Sequence, residues 1–548
     1  MPAKTSAKHA NIRELLISSA ALFPKKVAFE EKKNGEYIPY TYSRVANDAE
    51  RLGRALCARG LRGAHIMIIG ENGYYWNIAY LATVAFCGTA VPLSRSREIG
   101  TVISAARDCD VSAVIYSDNC SAVADALGDT VPTFAFSELD GLIKEKADAE
   151  TNSPDADSVA ELAYTAETGE TPKAVILTHK NICYSISQMS GLVPLGTEDK
   201  LYSILPVSHI YERVCGMLYP LSSGASVAYG EGLKHLSTNM RITRPTVLLA
   251  APLILDRIHG KIWANIEKKG IGEKVRRAIA LTEAAGPLRT AVRRQIFAEI
   301  HDSLGGRLSL IISGGGTANR ETVMGLRHFG IRALQGYGMT ESASLISANT
   351  RELHEYDSAG MPISGGTVDI YNMQSDGIGE IRYRGANVTP GYYKNAELTR
   401  RTLRDGWLYT GDMGYFDRRG FLHIVGRKSN VILTARRRSV FPEELEALLE
   451  ANPFIREAAV IGVENAATRD YDIVAIIYPN SENLRAIYGE DCSHAQIARE
   501  IENAIAGVNA QTEAHKRIVR FALRDTAFEK NEAGKLLRSG ITGGIEIV

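Results

Sequence analysis

Four short stretches carry side chains of the kinds that bind nucleotides. "YTAETGETPKAVILTHKNI" (164–182) passes from a strand-like segment through a Thr/Gly loop into Pro-Lys, an apolar strand and a helix start. That order suits a loop that holds phosphates. Two acids, Glu167 and Glu170, stand where a phosphate cradle wants small neutral residues. "ISGGGTANRE" (312–321) follows an apolar strand and leads into a helix. Glycines at a strand's carboxyl end let a planar ligand or a phosphate reach the backbone, and the next helix N-terminus adds donors. "LQGYGMTESA" (334–343) repeats the design. Here an aromatic between glycines can stack on a base, Thr340 can bind phosphate oxygens, and Glu341 can hold Mg²⁺. "WLYTGDMGYFDRRGFLHIVGRKSN" (407–430) places Asp412 in a tight Thr-Gly-Asp turn and Arg427 before a polar run. A carboxylate accepts from both hydroxyls of a ribose, and an arginine binds hydroxyl and phosphate together. Taken singly, each stretch also describes an ordinary turn.

The elements that must position these residues alternate. "HIMIIG" precedes a helical pattern from Tyr74 to Cys87, and "VSAVIYS" precedes another from Cys120 to Leu127. "LYSILPV", "SVAYG", "TVLLA", "LSLIIS" and "IRALQ" are further apolar, β-branched runs followed by turns or helices. Strands alternating with helices predict an α/β fold with largely parallel sheets. From about residue 365 to 425 short strands with Gly and Asp-Gly punctuation predict a small β-rich subdomain. After "GRKSN" comes a compact α+β unit with helices "PEELEALLEAN" and "HAQIAREIENAIAG" and strands "EAAVIGV", "DIVAIIYP" and "IVRFALR". The expected division is a large domain over 1–429, with two βα sheet subdomains and the β-rich part, and a small domain over 430–548.

Composition bounds the function. The 548 residues carry 63 acids and 63 bases, so no net field draws the chain to nucleic acid. Seven scattered cysteines, without CxxC pairs, read as reduced thiols rather than disulfides or zinc ligands. The opening segment has Ile12, Leu15, Leu16, Leu22 and Phe23 on one helix face, an amphipathic helix and not a signal peptide. No stretch approaches the roughly 20 apolar residues of a membrane span. The expected location is the cytoplasm.

Seven motifs in one order, "TPKAVILTHKNI", "GGGTANRE", "QGYGMTES", "YTGDMGYFD", "GRKSNVI", "FPEELE" and "EAGKLLRS", closely resemble the adenylate-forming (ANL) superfamily over roughly residues 10 to 540. "SILPVSHIYERVCGMLYPLSSGASVAYGEGLKHL" is most similar to bacterial long-chain fatty acyl-CoA synthetases. The resemblance implies a two-step reaction. A carboxylate attacks the α-phosphorus of Mg·ATP, releasing pyrophosphate and leaving an acyl-adenylate; a thiol, usually that of coenzyme A, then displaces AMP. It also implies roles. Thr165, Thr168 and Lys173 belong to the phosphate loop; Gly315, Gly316, Thr317, Gln335, Gly336, Tyr337, Gly338 and Met339 to the nucleotide site. Asp412 matches the ribose carboxylate and Arg427 its neighbouring arginine; Thr340 and Glu341 match the phosphate and Mg²⁺ residues. Lys535 matches a mobile lysine that joins carboxylate and α-phosphate, a task suited to a point charge on a long stem. His209 stands where the family places a residue beside the acyl carboxylate, and Asn430 at the hinge of the small, mobile domain. The implied ligands are ATP or AMP, Mg²⁺, coenzyme A and a carboxylic acid, with a monomer or homodimer as the working form.

Two departures stand out. The family loop reads approximately Thr-Ser-Gly-Thr-Thr-Gly-x-Pro-Lys-Gly, and here it is Thr165-Ala166-Glu167-Thr168-Gly169-Glu170-Thr171-Pro172-Lys173-Ala174. A glutamate about 4 Å from a phosphate charge costs roughly 4 kcal/mol at an effective dielectric of 20. Near the pantetheine tunnel the family has a glycine, whereas this chain has Arg436, Arg437 and Arg438, able to bind the phosphates of coenzyme A or to obstruct thiolation. Three readings stay open: an ATP-dependent synthetase, an enzyme that thiolates a supplied adenylate, and a non-catalytic relative that binds nucleotide or acyl ligand.

Overall fold

The computed structural model describes residues 9–165, 173–283, 289–434, 438–465, 470–530, 536–538 and 541. Thr168, Glu167, Glu170, Arg436, Arg437 and Lys535 lie outside them. Contacts divide the chain into a larger unit, up to Val368 plus Tyr383–Leu408, and a smaller one, Asp369–Arg382 plus the chain from Tyr409.

The larger unit holds two sheets. The seven-stranded sheet runs Gly391–Tyr392, Lys173–Thr178, Val159–Thr165, Thr89–Leu93, His65–Ile69, Val111–Tyr116, Thr133–Ala135. The nine-stranded sheet runs Met361–Pro362, Ser347–Ala348, Arg332–Tyr337, Leu310–Ser313, Val247–Ala250, Lys200–Ser203, Ser226–Tyr229, Val27–Lys33, Glu36–Thr41. The middle strands of both pair in parallel, as their apolar runs and crossover helices require, and antiparallel pairing is confined to the edges. Register matters for function. Ser313 pairs with Gln335, so the two glycine-bearing turns leave neighbouring strands at the same level. Thr165 pairs with Lys173, so the two strand ends that flank the Thr/Gly stretch in sequence lie side by side, antiparallel.

Local readings hold with some corrections. The first helix, Ile12–Leu22, buries Ile12, Leu15 and Leu16, but Leu22 is 66% exposed because the helix ends there. The pattern from Tyr74 to Cys87 is two elements, an α-helix to Ala82 and a π-turn over Thr83–Cys87. Thr83 Oγ1 donates to the carbonyl of Ala79 at 2.7 Å and competes with the helical ladder there. The run "LYSILPV" is a strand only to Ser203. Beyond it Pro206 lacks a donor, and Asn72 ties the backbone instead, donating to Leu205 O at 2.6 Å and accepting from Val207 N at 2.9 Å.

In the smaller unit, Trp407–Phe416 and Leu422–Arg427 pair antiparallel. A second sheet joins Ile455–Asn465, Asp470–Pro479 and Ile518–Leu523. Helices Pro442–Glu450 and His494–Gln511 bury Leu445, Leu449, Ile501 and Val508 in a core with Val460, Ala475 and Ile477. The α+β character read from alternating patterns is what forms.

Candidate functional site

The two glycine turns open into one cavity of about 60 Å³ in the larger unit. His209, Gly315, Gln335, Gly336, Tyr337, Gly338 and Met339 line it, with Met189, Val193, Ile210, Cys215 and Leu345 as its apolar wall. Gly315 has φ +86°, a conformation a side chain would strain, and no atom lies within 4 Å of where its Cβ would stand. The backbone there is open to a flat ligand. Gln335 fixes the turn from the neighbouring strand: its Oε1 accepts from Ala318 N at 2.8 Å and its Nε2 donates to Tyr356 O at 2.6 Å. Gly316 and Thr317 follow, exposed, before the helix Arg320–His328, which Asn319 caps through Glu321 N at 2.7 Å.

Thr340 and Glu341 occupy a short 3₁₀ turn, Thr340–Ser342. It is held from a distance. Buried Asn387 donates to Ser342 O at 2.7 Å and to Leu345 O at 2.6 Å, and accepts from Tyr383 Oη at 2.7 Å. Ala343 and Ser344 both take positive φ, 42° and 83°, so the chain reverses sharply after the turn. That reversal brings Ser344 O to 2.0 Å from where a Cβ on residue 338 would be, so Gly338 is required by close approach. The Glu341 carboxylate is buried and accepts from Tyr392 Oη at 2.7 Å. One carboxylate suits Mg²⁺, which takes most of its ligands from water and phosphate oxygens. Strand Lys173–Thr178 packs beside the same turn, bringing Lys173 and Thr165 to this side of the unit.

His209 sits in the loop after Pro206. Tyr211 N donates to its Nδ1 at 3.2 Å, which places the ring hydrogen on Nε2. Tyr211 Oη donates to Ile312 O at 3.0 Å, two residues before Gly314 of the Gly-rich turn.

In the smaller unit Asp412 and Arg427 face each other across the hairpin, Arg427 Nε donating to Asp412 Oδ1 at 2.8 Å. The expected tight turn around Asp412 is not a turn. Asp412 lies inside the ten-residue strand Trp407–Phe416, and the glycine before it, at φ +72°, bends the strand without ending it. Asn430 donates to Glu443 Oε1 at 2.5 Å, and Arg438, exposed, is directed at His515 Nδ1 at 3.4 Å. Three residues after the expected lysine in sequence, Arg538 Nη2 donates to both oxygens of Glu446 at 2.7 and 2.9 Å.

Two family models match this chain. The model described as "AMP-binding enzyme" matches residues 16–393, and "AMP-binding enzyme C-terminal domain" matches 429–542. The chain belongs to the AMP-binding enzyme family. Among relatives of this AMP-binding enzyme, the long-chain-fatty-acid–CoA ligase FadD15 of Mycobacterium bovis is 24% identical, over 96% of this chain and 93% of the relative. Long chain acyl-CoA synthetase 1 of Arabidopsis thaliana is 28% identical, over 83% and 76%. The fold matches o-succinylbenzoate CoA synthetase (MenE) of Bacillus subtilis, solved with its acyl-adenylate OSB-AMP, at a TM-score of 0.77 and 22% identity, covering 96% and 97%. It also matches the anthranilate CoA ligase AuaEII with anthranoyl-AMP at 0.79 and 19%, covering 98% of each chain. Among the described residues no helix is long and apolar enough to cross a membrane, and no group of three His, Cys, Asp or Glu is placed to hold a metal.

Several residues whose hydrogen bonds hold segments around the candidate site escaped the sequence: Asn72, Glu161, Arg213, Gln335's contact with Tyr356, Asn387 and Tyr392. Each bonds to a segment distant in the chain, a contact its own sequence neighbourhood does not announce.

Proposed function

We propose that this AMP-binding enzyme is an AMP-forming acyl-CoA ligase for an apolar carboxylic acid, of the medium- to long-chain fatty acid class. The observation that carries this is the single cavity that joins His209 and the two glycine turns to an apolar wall without a charged side chain. Backbone at Gly315 and the ring of Tyr337 accept adenine. Glu341 holds Mg²⁺ with the phosphates, and Thr340 donates to them. His209, with hydrogen on Nε2, meets the acyl carboxylate. In the smaller unit Asp412 accepts from the ribose hydroxyls and Arg427 orients it; Asn430 is the hinge between residues 1–429 and 430–548. Lys535 neutralises charge between carboxylate and α-phosphate in the first step, and Arg436, Arg437 and Arg438 meet the phosphates of coenzyme A in the second. The relatives named long-chain-fatty-acid–CoA ligase support the substrate class.

A second reading, thiolation of a supplied adenylate, is favoured by Glu167 and Glu170, whose charges weaken handling of the β- and γ-phosphates but leave the AMP contacts alone. Carboxylate-dependent pyrophosphate exchange, followed by thioester formation with coenzyme A, tests both. Exchange with fatty acids of any length, abolished by Lys535→Ala, supports the first reading. No exchange, with thiolation of a synthetic acyl-adenylate intact, supports the second. Failure of both reactions removes the catalytic readings.

A further inference from the structure

Arg213 has no exposed surface, and its bonds run to the His209 loop. Its Nη1 donates to Val207 O at 2.9 Å and to Ser208 O at 2.7 Å, and its backbone N–H donates to His209 O at 3.1 Å. Three consecutive carbonyls ending at His209 are therefore held by one residue. The other edge of the guanidinium closes on Glu161, Nε to Oε2 at 2.7 Å and Nη2 to Oε1 at 2.6 Å, while Tyr80 Oη donates to Oε2 at 2.9 Å. Glu161 lies on the strand Val159–Thr165, whose last residue begins the Thr/Gly loop. The planar fork of arginine fits this double duty, and lysine does not, because a single ammonium cannot span carboxylate and two carbonyls in fixed geometry.

A buried ion pair rarely repays its desolvation, so stability alone explains this network poorly. We propose that Arg213 is a positioning residue for carboxylate activation, holding the His209 backbone against strand Val159–Thr165 and so aiming the imidazole. The proposal rests on the assignment of His209 to the acyl carboxylate. Misplacing an oriented group by about 1 Å costs on the order of 100-fold in rate.

The test is a double-mutant cycle. Arg213→Met is made together with Glu161→Leu, which removes the charge that Arg213→Met alone would strand, and Arg213→Lys is made as the charge-conserving variant. Each is combined with His209→Ala. Thermal midpoint and AMP affinity establish that the variants fold. The expected result is a fall of about 100-fold in kcat/KM for the carboxylate, carried mainly by kcat, with AMP affinity unchanged. In the His209→Ala background the same changes have an effect within about twofold, because the group they aim is gone. Equal losses with and without His209 overturn the proposal and leave a structural pair. Loss of AMP affinity in step with activity also overturns it. If His209→Ala is itself silent, the assignment of His209 fails first, and the proposal falls with it.

Discussion

Glu212, next to Arg213, is fully buried, with the Ser203 hydroxyl beside its carboxyl. Burial pushes this carboxyl up to about 8, with the Ser203 hydroxyl offsetting part of the effect. The ordinary value is 4.5, so between these two values the folded chain holds a proton that the unfolded chain releases. Stability therefore falls as pH rises from about 4.5 to about 8 and is level above. Glu212→Gln is expected to raise the thermal midpoint clearly at alkaline pH and little at acidic pH, with an upper bound on the order of 4–5 kcal/mol. Denaturation at both pH values checks it, and an equal shift at both refutes the burial argument. Residue-scale electrostatics also bear on the Thr/Gly loop. Ala166→Ser, Glu167→Gly, Gly169→Thr and Glu170→Gly together are expected to raise ATP-dependent pyrophosphate exchange at least about tenfold, a change of about 1.4 kcal/mol at the transition state. A fall instead assigns one glutamate to the metal.

At the scale of elements, the Thr340–Ser342 turn has no regular ladder to hold it and depends on Asn387. Asn387→Ala strands two buried carbonyls, at a cost of about 2–4 kcal/mol. Exchange activity is expected to fall at least about tenfold through displacement of Thr340 and Glu341, while the thermal midpoint drops. Chemical denaturation and exchange kinetics on one preparation check this. Retained kcat would mean the turn is held by its own geometry. The cavity wall belongs to this scale too. Met189 and Val193 come from the end of helix His179–Leu192, and Cys215 comes from the π-turn Glu212–Leu218. Met189→Ala lengthens the apolar space by a side chain, so acyl preference is expected to shift toward longer chains by about tenfold in kcat/KM. Competition between acids of different length reads this out.

For the molecule as a whole, each unit has its own buried core: one around Leu445, Val460 and Ile477 in the smaller unit, and one around Trp76, Val175 and Leu218 in the larger. Two calorimetric transitions are expected, since each core can be lost on its own. Arg538→Ala leaves Glu446, largely buried and pushed up to about 7, without its main cation. It is expected to lower the smaller unit's transition by about 2–3 kcal/mol, allowing for partial exposure of the pair, and to leave the larger one unmoved. Equal shifts in both would show a single cooperative unit. Because Arg538 lies three residues from Lys535, pyrophosphate exchange should suffer more than thiolation of a supplied adenylate.

The sequence by itself determined the order of chemical motifs, the α/β alternation and the α+β character of residues 430–548. These depend on interactions within a turn or two of the chain, such as the apolar periods and the Thr178 cap on helix His179–Leu192. It also marked Asp412 and Arg427 as partners in purpose, yet misread a bent strand as a turn, because a single glycine serves both. Tertiary structure alone decided that Ser313 and Gln335 end level, that Asn387 grips a turn about 45 residues earlier, and that Arg213 reaches Glu161 across 52 residues. Such pairs gain their energy only once distant segments are packed and water is excluded from between them, so no local pattern of residues announces them.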